Sequence, residues 1–329
     1  MKTHTPRSHA SRHLLRGWRG ALAIALLLTL GLSPGPALLA PGSAAAQSLL
    51  DKVFGMSTED EVRLGREISR EVERKLGVVY QPDVATYVND LGQRLVRHSQ
   101  RANLPHAFKV VKEPSVNAFA LPGGFVYVHL GLIAAAESEM ELAGVLAHEI
   151  GHVSARHHSE QLAKSQAIGL GTTLFGALVG GATQRVDIAL VAAELVATGA
   201  YMKFSRDAER EADQLGAQML HRAGWNPRGM VSFFDKLEEK RLDRGMPSSE
   251  VEVFFSSHPT PVERRANVEA LIQGMPPDPG LARDTPAFQR ARAIVRRMLN
   301  LPTQAPQGTR PKPLEQKLPP FLRPGPQGP

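Results

Sequence analysis

The stretch Ala147-His148-Glu149-Ile150-Gly151-His152 places two histidines four residues apart with a glutamate between them. On an α-helix, residues four apart lie on one face, about 6 Å apart at Cβ. Two imidazoles so placed can grip one metal ion, which takes nitrogen ligands at about 2.0–2.1 Å when it is zinc. Glu149 lies one residue further round, where its carboxylate can take a proton from a water in the open coordination position. This is the HExxH spacing of a zinc-dependent peptide-bond hydrolase, and the chemistry itself requires it.

The surroundings read as a helix. From Glu139 to His157 the chain carries Met140, Ala143, Leu146, Ala147 and Ile150 at helical spacing and no proline. Ser138 followed by Glu141 reads as the capping box that starts it. A third ligand is needed. His158 has the spacing of the third histidine in HExxHxxGxxH, but that pattern turns at a glycine and this chain has Ala155 there. The helix is therefore expected to continue and carry His158 away from the metal. The segment Ser205-Arg206-Asp207-Ala208-Glu209-Arg210-Glu211-Ala212-Asp213 offers the alternative. As a helix it puts Glu209 and Asp213 on one face and Glu211 roughly 200° round from Glu209. Glu209 is assigned as the third ligand. Asp213 is placed to accept a hydrogen bond from a ligand histidine and fix its tautomer.

With these residues in place, the chain resembles the family of zinc metallopeptidases that includes HtpX and the CAAX prenyl proteases. It is most similar to the periplasmic BepA-like branch. The matching residues spread from Glu59 to Glu269. They are Asn117 to Gly124, His148 to His152, Arg156-His157, Ser205-Arg206, Glu209 to Asp213, Ser257-His258-Pro259 and Arg264. The resemblance implies an α+β, mainly helical, gluzincin-type fold with a small β-hairpin or sheet beside the HExxH helix. It implies one Zn2+ per chain on His148, His152 and Glu209. It also implies that His258 or Arg264 supplies the positive or donor group opposite the metal, with His258 as an alternative resting ligand. The chain beyond the peptidase region is too short for that branch's C-terminal helical repeats, so their partner interactions are not carried over.

Composition sets further bounds. The net charge of +7 comes from the ends. The first 46 residues hold Lys2, Arg7, Arg12, Arg16 and Arg19 and no acid, and the segment from Pro302 contributes +3. The region between is near −1, so there is no nucleic-acid footprint. A basic segment ending at Arg19, an apolar run from Ala21 to Leu32 and a small-residue stretch ending in Ala44-Ala45-Ala46 read as a signal peptide cleaved before Gln47. The apolar run is short for a bilayer span. The absence of cysteine excludes disulfides, thiolate zinc ligands and a lipidated N-terminal cysteine. Together these predict export to the periplasm.

The expected organisation is a signal peptide over 1–46, a metallopeptidase domain over 47–274, a helical segment over 275–301 and a proline-rich, disordered tail over 302–329. Glu59 to Leu76 and Asp83 to Ser99 read as amphipathic helices, and Phe108 to Val111 as a strand. Val116 to Leu121 and Phe125 to His129 read as a hairpin turning at Pro122-Gly123-Gly124. One strand of it, with Asn117, Ala118, Phe119, Gly123 and Gly124, is the candidate for pairing with substrate backbone. Leu220 to Leu242 reads as helix interrupted at Trp225-Asn226-Pro227, and Thr285 to Leu301 as a last basic helix. Ser165 to Gln184 carries no charge and contains Gly176-Ala177-Leu178-Val179-Gly180. It lies between the two halves of the metal site, so 165–200 is expected to form a lid hairpin that can touch lipid, with a packed hairpin or a membrane span as alternatives.

The function expected from all this is a secreted zinc endopeptidase. The resemblance adds unfolded or misassembled envelope proteins as substrates. The alternative is a chaperone-like envelope binder with weak or regulated proteolysis.

Overall fold

The computed structural model describes residues 56–161, 204–242, 249–258, 261–276 and 284–302. The expected signal peptide, the 165–200 hairpin and the proline-rich tail lie outside these residues. In chain order, the elements are α1 (Thr58–Leu76), α2 (Pro82–Val96), β1 (Ala107–Val111), β2 (Ala118–Leu121), a 3-10 turn (Pro122–Gly124), β3 (Phe125–His129) and α3 (Leu130–Ala135). There follow α4 (Glu139–Ser154), α5 (Arg206–Arg222), α6 (Arg228–Leu242), α7 (Ser249–Ser257), α8 (Pro261–Gln273) and α9 (Pro286–Met298). The fold is α+β and mainly helical, with one three-stranded mixed sheet. Among the described residues, no helix is long and apolar enough to cross a membrane.

Local chemistry sets the helix starts. Ser57, Ser138, Ser205 and Thr285 each accept a hydrogen bond from the backbone N–H three residues on, at 3.1, 3.4, 3.2 and 3.2 Å. Each satisfies one of the donors that a helix start leaves unpaired. Pro82 and Pro286 occupy first-turn positions, where the missing N–H costs nothing. The capping box at α4 is displaced by one residue, since Glu141 Oε2 accepts from the N–H of Glu137.

The sheet order is β1-β3-β2, with β1 parallel and β2 antiparallel to β3. The expected hairpin forms around Pro122-Gly123-Gly124, and β2 becomes a sheet edge. Helix α2 packs on β1, α4 packs on β2, and α1 packs on the turn between β2 and β3. Helix α9 docks on α2 and α3, burying Phe288, Ala291 and Val295 in the same core as Leu91 and Leu95. The interrupted helix is two helices, α5 and α6, broken where Gly224 takes a φ of 80° ahead of the buried Trp225.

Helix α4 differs from expectation at its end. It stops at Ser154, and Arg156 adopts φ 60°, before helical structure resumes at residues 157–161. No glycine is needed for this turn because the Arg156 guanidinium is held inside. Its Nη2 donates to Met56 O at 2.5 Å, and its Nε lies 3.5 Å from Glu61 Oε2. Glu61 itself receives a two-pronged bond from Arg101 at 2.9 Å on each oxygen.

Helices α4 and α5 pack closely at two glycines. A Cβ on Gly151 would lie 2.6 Å from Ala212 O, and one on Gly216 would lie 3.1 Å from the Ala147 backbone. The two helices touch backbone to backbone there. In a free helix, Gly→Ala gains about 1 kcal/mol. Here we expect the opposite sign, since Gly151→Ala must push α5 away and should cost about 1–3 kcal/mol. Chemical denaturation at fixed pH measures it, and a stabilised variant would contradict the contact.

His129, buried at the end of β3, accepts from or donates to Ser115 Oγ at 2.8 Å and leaves Nε2 without a partner. Burial holds its pKa down at about 4 against the ordinary 6.5, opposed by the Ser115 bond. The unfolded chain therefore takes up this proton first as pH falls. The contribution is intact above pH 6.5 and is lost towards pH 4, by at most about 3 kcal/mol. We expect His129→Asn to flatten the stability–pH curve in that window, measured on protein in EDTA. Parallel curves for the two proteins would show that His129 does not carry this pH dependence.

Candidate metal centre

Helix α4 brings His148 and His152 onto one face, with their Nε2 atoms 3.0 Å apart. Helix α5 brings Glu209 against both, its oxygens 3.5 Å from His148 Nε2 and 3.4 Å from His152 Nε2. His258, just after α7, completes the group, with Nδ1 3.3 Å from His148 Nε2 and 3.2 Å from each Glu209 oxygen. Donor atoms from these four buried residues all lie within 4.8 Å of one another.

These separations fit a metal ion. A tetrahedral zinc with bonds of about 2.0–2.1 Å holds its ligands about 3.3–3.4 Å apart. Without a cation, two imidazole nitrogens at 3.0 Å present lone pairs to each other unless a proton lies between them. In addition, Glu149 Oε1 and His258 Nε2 are buried 3.4 Å apart and neither has a hydrogen bond of its own. A small cation resolves the donor set where further protein hydrogen bonds do not. The cluster fits one metal ion.

The carboxylates around the donors divide their work. Glu149 does not join the four donors. Its Oε2 accepts from Ala120 N–H at 2.9 Å, which fixes the side chain between β2 and the cluster. Asp213 lies one turn beyond Glu209 and meets His148 Nδ1 at 2.9 Å, so that Nε2 faces the donor group. Arg264 on α8 donates to both Asp213 oxygens, at 2.8 and 2.7 Å, and its Nη1 lies 3.0 Å from Glu209 Oε2. The guanidinium also lies 4.7 Å over the Phe234 ring. Its donors are thus directed at two carboxylates of the site.

Burial and charge set the protonation tendencies. Burial pushes Glu149 up from the usual carboxylate range, against the pull of His258 and His148. Burial holds His152 well below an ordinary histidine. For His148, burial and Arg264 press downward, but the bonds from Asp213 and Glu209 outweigh them and raise it to about 9. Glu209 and Asp213 are pushed up by burial, yet both end lower than usual. His258, His148 and His152 hold Glu209 down, and Arg264 holds Asp213 down.

His158 stands outside the cluster. Its Nε2 donates to Ala120 O at 2.9 Å, and burial, aided by His157, lowers its pKa to about 3. The hairpin residues occupy the neighbouring edge. Ala118 and Phe119 lie on β2, Asn117 is buried just before it, and its carbonyl accepts from His129 N–H. Gly123 and Gly124 form the turn, with Gly123 N–H donating to Glu61 at 3.3 Å. At Ala120, the N–H and C=O turn from β2 to Glu149 and His158.

Two residues close to the metal group carry no role in the sequence reading. His157 Nδ1 lies 2.9 Å from His152 Nδ1, and the Phe204 ring stacks on His152 at 4.1 Å between centroids. A helix continued through residue 157 hides the first contact. Phe204 stands outside both motifs, next to the Ser205 cap.

Comparison with known proteins agrees with this construction. Residues 82–272 match peptidase family M48. The chain is 30% identical over 282 residues to the beta-barrel assembly-enhancing protease of Yersinia pestis, covering 83% of this chain and 57% of that protein. It is 33% identical over 197 residues to metalloprotease YcaL of Escherichia coli (strain K12), covering 57% of this chain and 73% of that protein. It is 28% identical over 220 residues to mitochondrial metalloendopeptidase OMA1 of Schizosaccharomyces pombe, covering 66% and 62%. The chain spans about half the length of the assembly-enhancing proteases it matches. With the family match running over both halves of the donor cluster and the HExxH helix intact, the chain belongs to peptidase family M48, a family of zinc metallopeptidases.

Proposed function

We propose that this chain is a zinc-dependent endopeptidase of the cell envelope that cleaves internal bonds of unfolded or misassembled proteins. The observation that carries the chemistry is Glu149, buried and fixed by Ala120 N–H beside a four-residue donor cluster that takes one metal ion. The substrate class rests on the likeness to proteins named for beta-barrel assembly. The periplasmic location rests on the signal-peptide character of residues 1–46.

His148, His152 and Glu209 hold the metal in this reading. When bound, zinc supplies Lewis acidity that polarises the substrate carbonyl and brings the pKa of a water toward about 7. Glu149 accepts the proton from that water and returns it to the leaving amine, a task that suits a carboxylate raised by burial. His258 Nε2 faces Glu149 Oε1 and is the better placed of two candidate donors to the developing oxyanion. Arg264 already serves Asp213 and Glu209, which fits it to hold the ligand carboxylate and the partner of His148 in place. Strand β2, as the sheet edge beside α4, is the candidate track for an extended substrate.

We expect Glu149→Gln to lower casein cleavage by at least about 10²-fold while still binding one zinc per chain. Chelation should abolish cleavage by the unaltered protein, and zinc should restore it. Undiminished cleavage by Glu149→Gln, or chelator-resistant cleavage, would overturn the assignment.

A further inference from the structure

We propose that His157 is a positioning residue for the ligand His152, acting through a relay that ends on Glu211. This rests on the reading of His152 as a metal ligand. His152 Nε2 faces the donor cluster, so for that nitrogen to offer its lone pair, the ring proton must sit on Nδ1. A buried N–H needs an acceptor. His157 Nδ1, at 2.9 Å, is the group in place. It can accept only if the His157 proton is on Nε2, and Glu211 Oε2 lies 3.4 Å from that atom. One carboxylate therefore sets two tautomers in series. His152 Nδ1–H donates to His157 Nδ1, and His157 Nε2–H donates to Glu211.

The relay mirrors the arrangement at the other histidine. His148 Nδ1 meets Asp213 directly. Both end groups come from α5, two residues apart on opposite sides of the helix that supplies Glu209. One helix thus delivers a ligand and the orienting carboxylates of both ligand histidines. The route is longer at His152 because Glu211 points to solvent, its side chain 60% exposed, while His157 is 2% exposed. His157 reaches its place because Arg156 turns the chain back through φ 60°. The Phe204 ring stacks on a face of His152, so the imidazole is held at its Nδ1 edge and across its plane.

The test is zinc affinity of the full chain, read by competition with a chromophoric chelator. The conservative variant is His157→Asn, whose Oδ1 takes the place of imidazole Nδ1 as acceptor. We expect His157→Leu to weaken zinc binding about 10–100-fold, as loss of a ligand's outer partner does. His157→Asn should restore most of that loss, which a role in packing alone does not explain. Glu211→Ala changes an exposed side chain and should weaken binding in the same direction by a smaller factor. Thermal unfolding of each variant in EDTA checks the fold. Zinc binding by His157→Leu equal to the unaltered protein, or by His157→Asn as weak as by His157→Leu, overturns the proposal. If His157→Leu does not fold, an unchanged affinity in Glu211→Ala overturns the relay. Failure of the metallopeptidase reading is distinct, because the unaltered protein would then take up no stoichiometric zinc in the same titration.

Discussion

The site depends on two helices touching at their backbones. The donors His148 and His152 belong to α4, and Glu209 with its neighbours belongs to α5. Helix axes ordinarily lie 8–10 Å apart, at a distance set by the side chains between them. Gly151 and Gly216 remove those side chains at the crossing. Gly151 is itself one of the two unspecified positions of the HExxH pattern. Its side-chain hydrogen faces the Ala212 backbone of α5, beside the His152 ring that meets Glu209 on the same helix. That is why a carboxylate from the first turns of α5 can stand within 3.5 Å of both imidazoles.

Bringing these groups together is costly. Glu149, Glu209, Asp213 and Arg264 are each almost fully removed from water. An ion so buried without partners costs several kcal/mol. Several of the oxygens are therefore answered by a protein donor: Asp213 by Arg264 and His148, Glu209 Oε2 by Arg264, Glu149 Oε2 by a backbone N–H. Glu149 Oε1 has no hydrogen bond and lies 3.4 Å from His258 Nε2. The outer partners of the ligands are thus protein groups, and the facing imidazole nitrogens are left for a cation.

What the sequence shows about this arrangement follows the range of the interactions. The four-residue spacing of His148 and His152, the shared face of Glu209 and Asp213, and the serine caps are local, so a few residues suffice to read them. The hairpin is equally local, with its turn spelled out by Pro122-Gly123-Gly124. The parallel pairing of β1 with β3 depends on how the thirteen residues between them, which include β2, cross the sheet, and α7 and α8 have little hydrophobic periodicity to declare them. His157 was hidden for a different reason. Its approach to His152 requires a non-glycine residue at φ 60°, and only a buried guanidinium held by Met56 and Glu61, about a hundred residues away, makes that conformation tenable at Arg156. His258 is intermediate. Its motif marks it through family resemblance, but nothing near it in sequence points to atoms on α4 and α5.

The HExxH helix is restrained at both ends by distant parts of the chain. At its start, Glu139 Oε2 accepts from Thr285 N–H at 2.9 Å while Asp284 accepts from Glu139 N–H at 2.7 Å. The beginnings of α4 and α9 thus cap each other across 146 positions. At its end, Arg101 donates to Val153 O at 3.1 Å and grips Glu61, which also receives Gly123 N–H. A buried ion pair adds little net stability over a well-packed apolar substitute. What it adds here is direction, since a guanidinium fork and a carboxylate meet in few orientations. The same Glu61 therefore ties the C-terminal end of α4, the turn after β2 and the reversal at Arg156 to one position. Catalytic geometry tolerates errors of only about half an ångström. A helix anchored by hydrogen bonds at each end, rather than by apolar contact alone, supplies that tolerance to His148, Glu149 and His152 together.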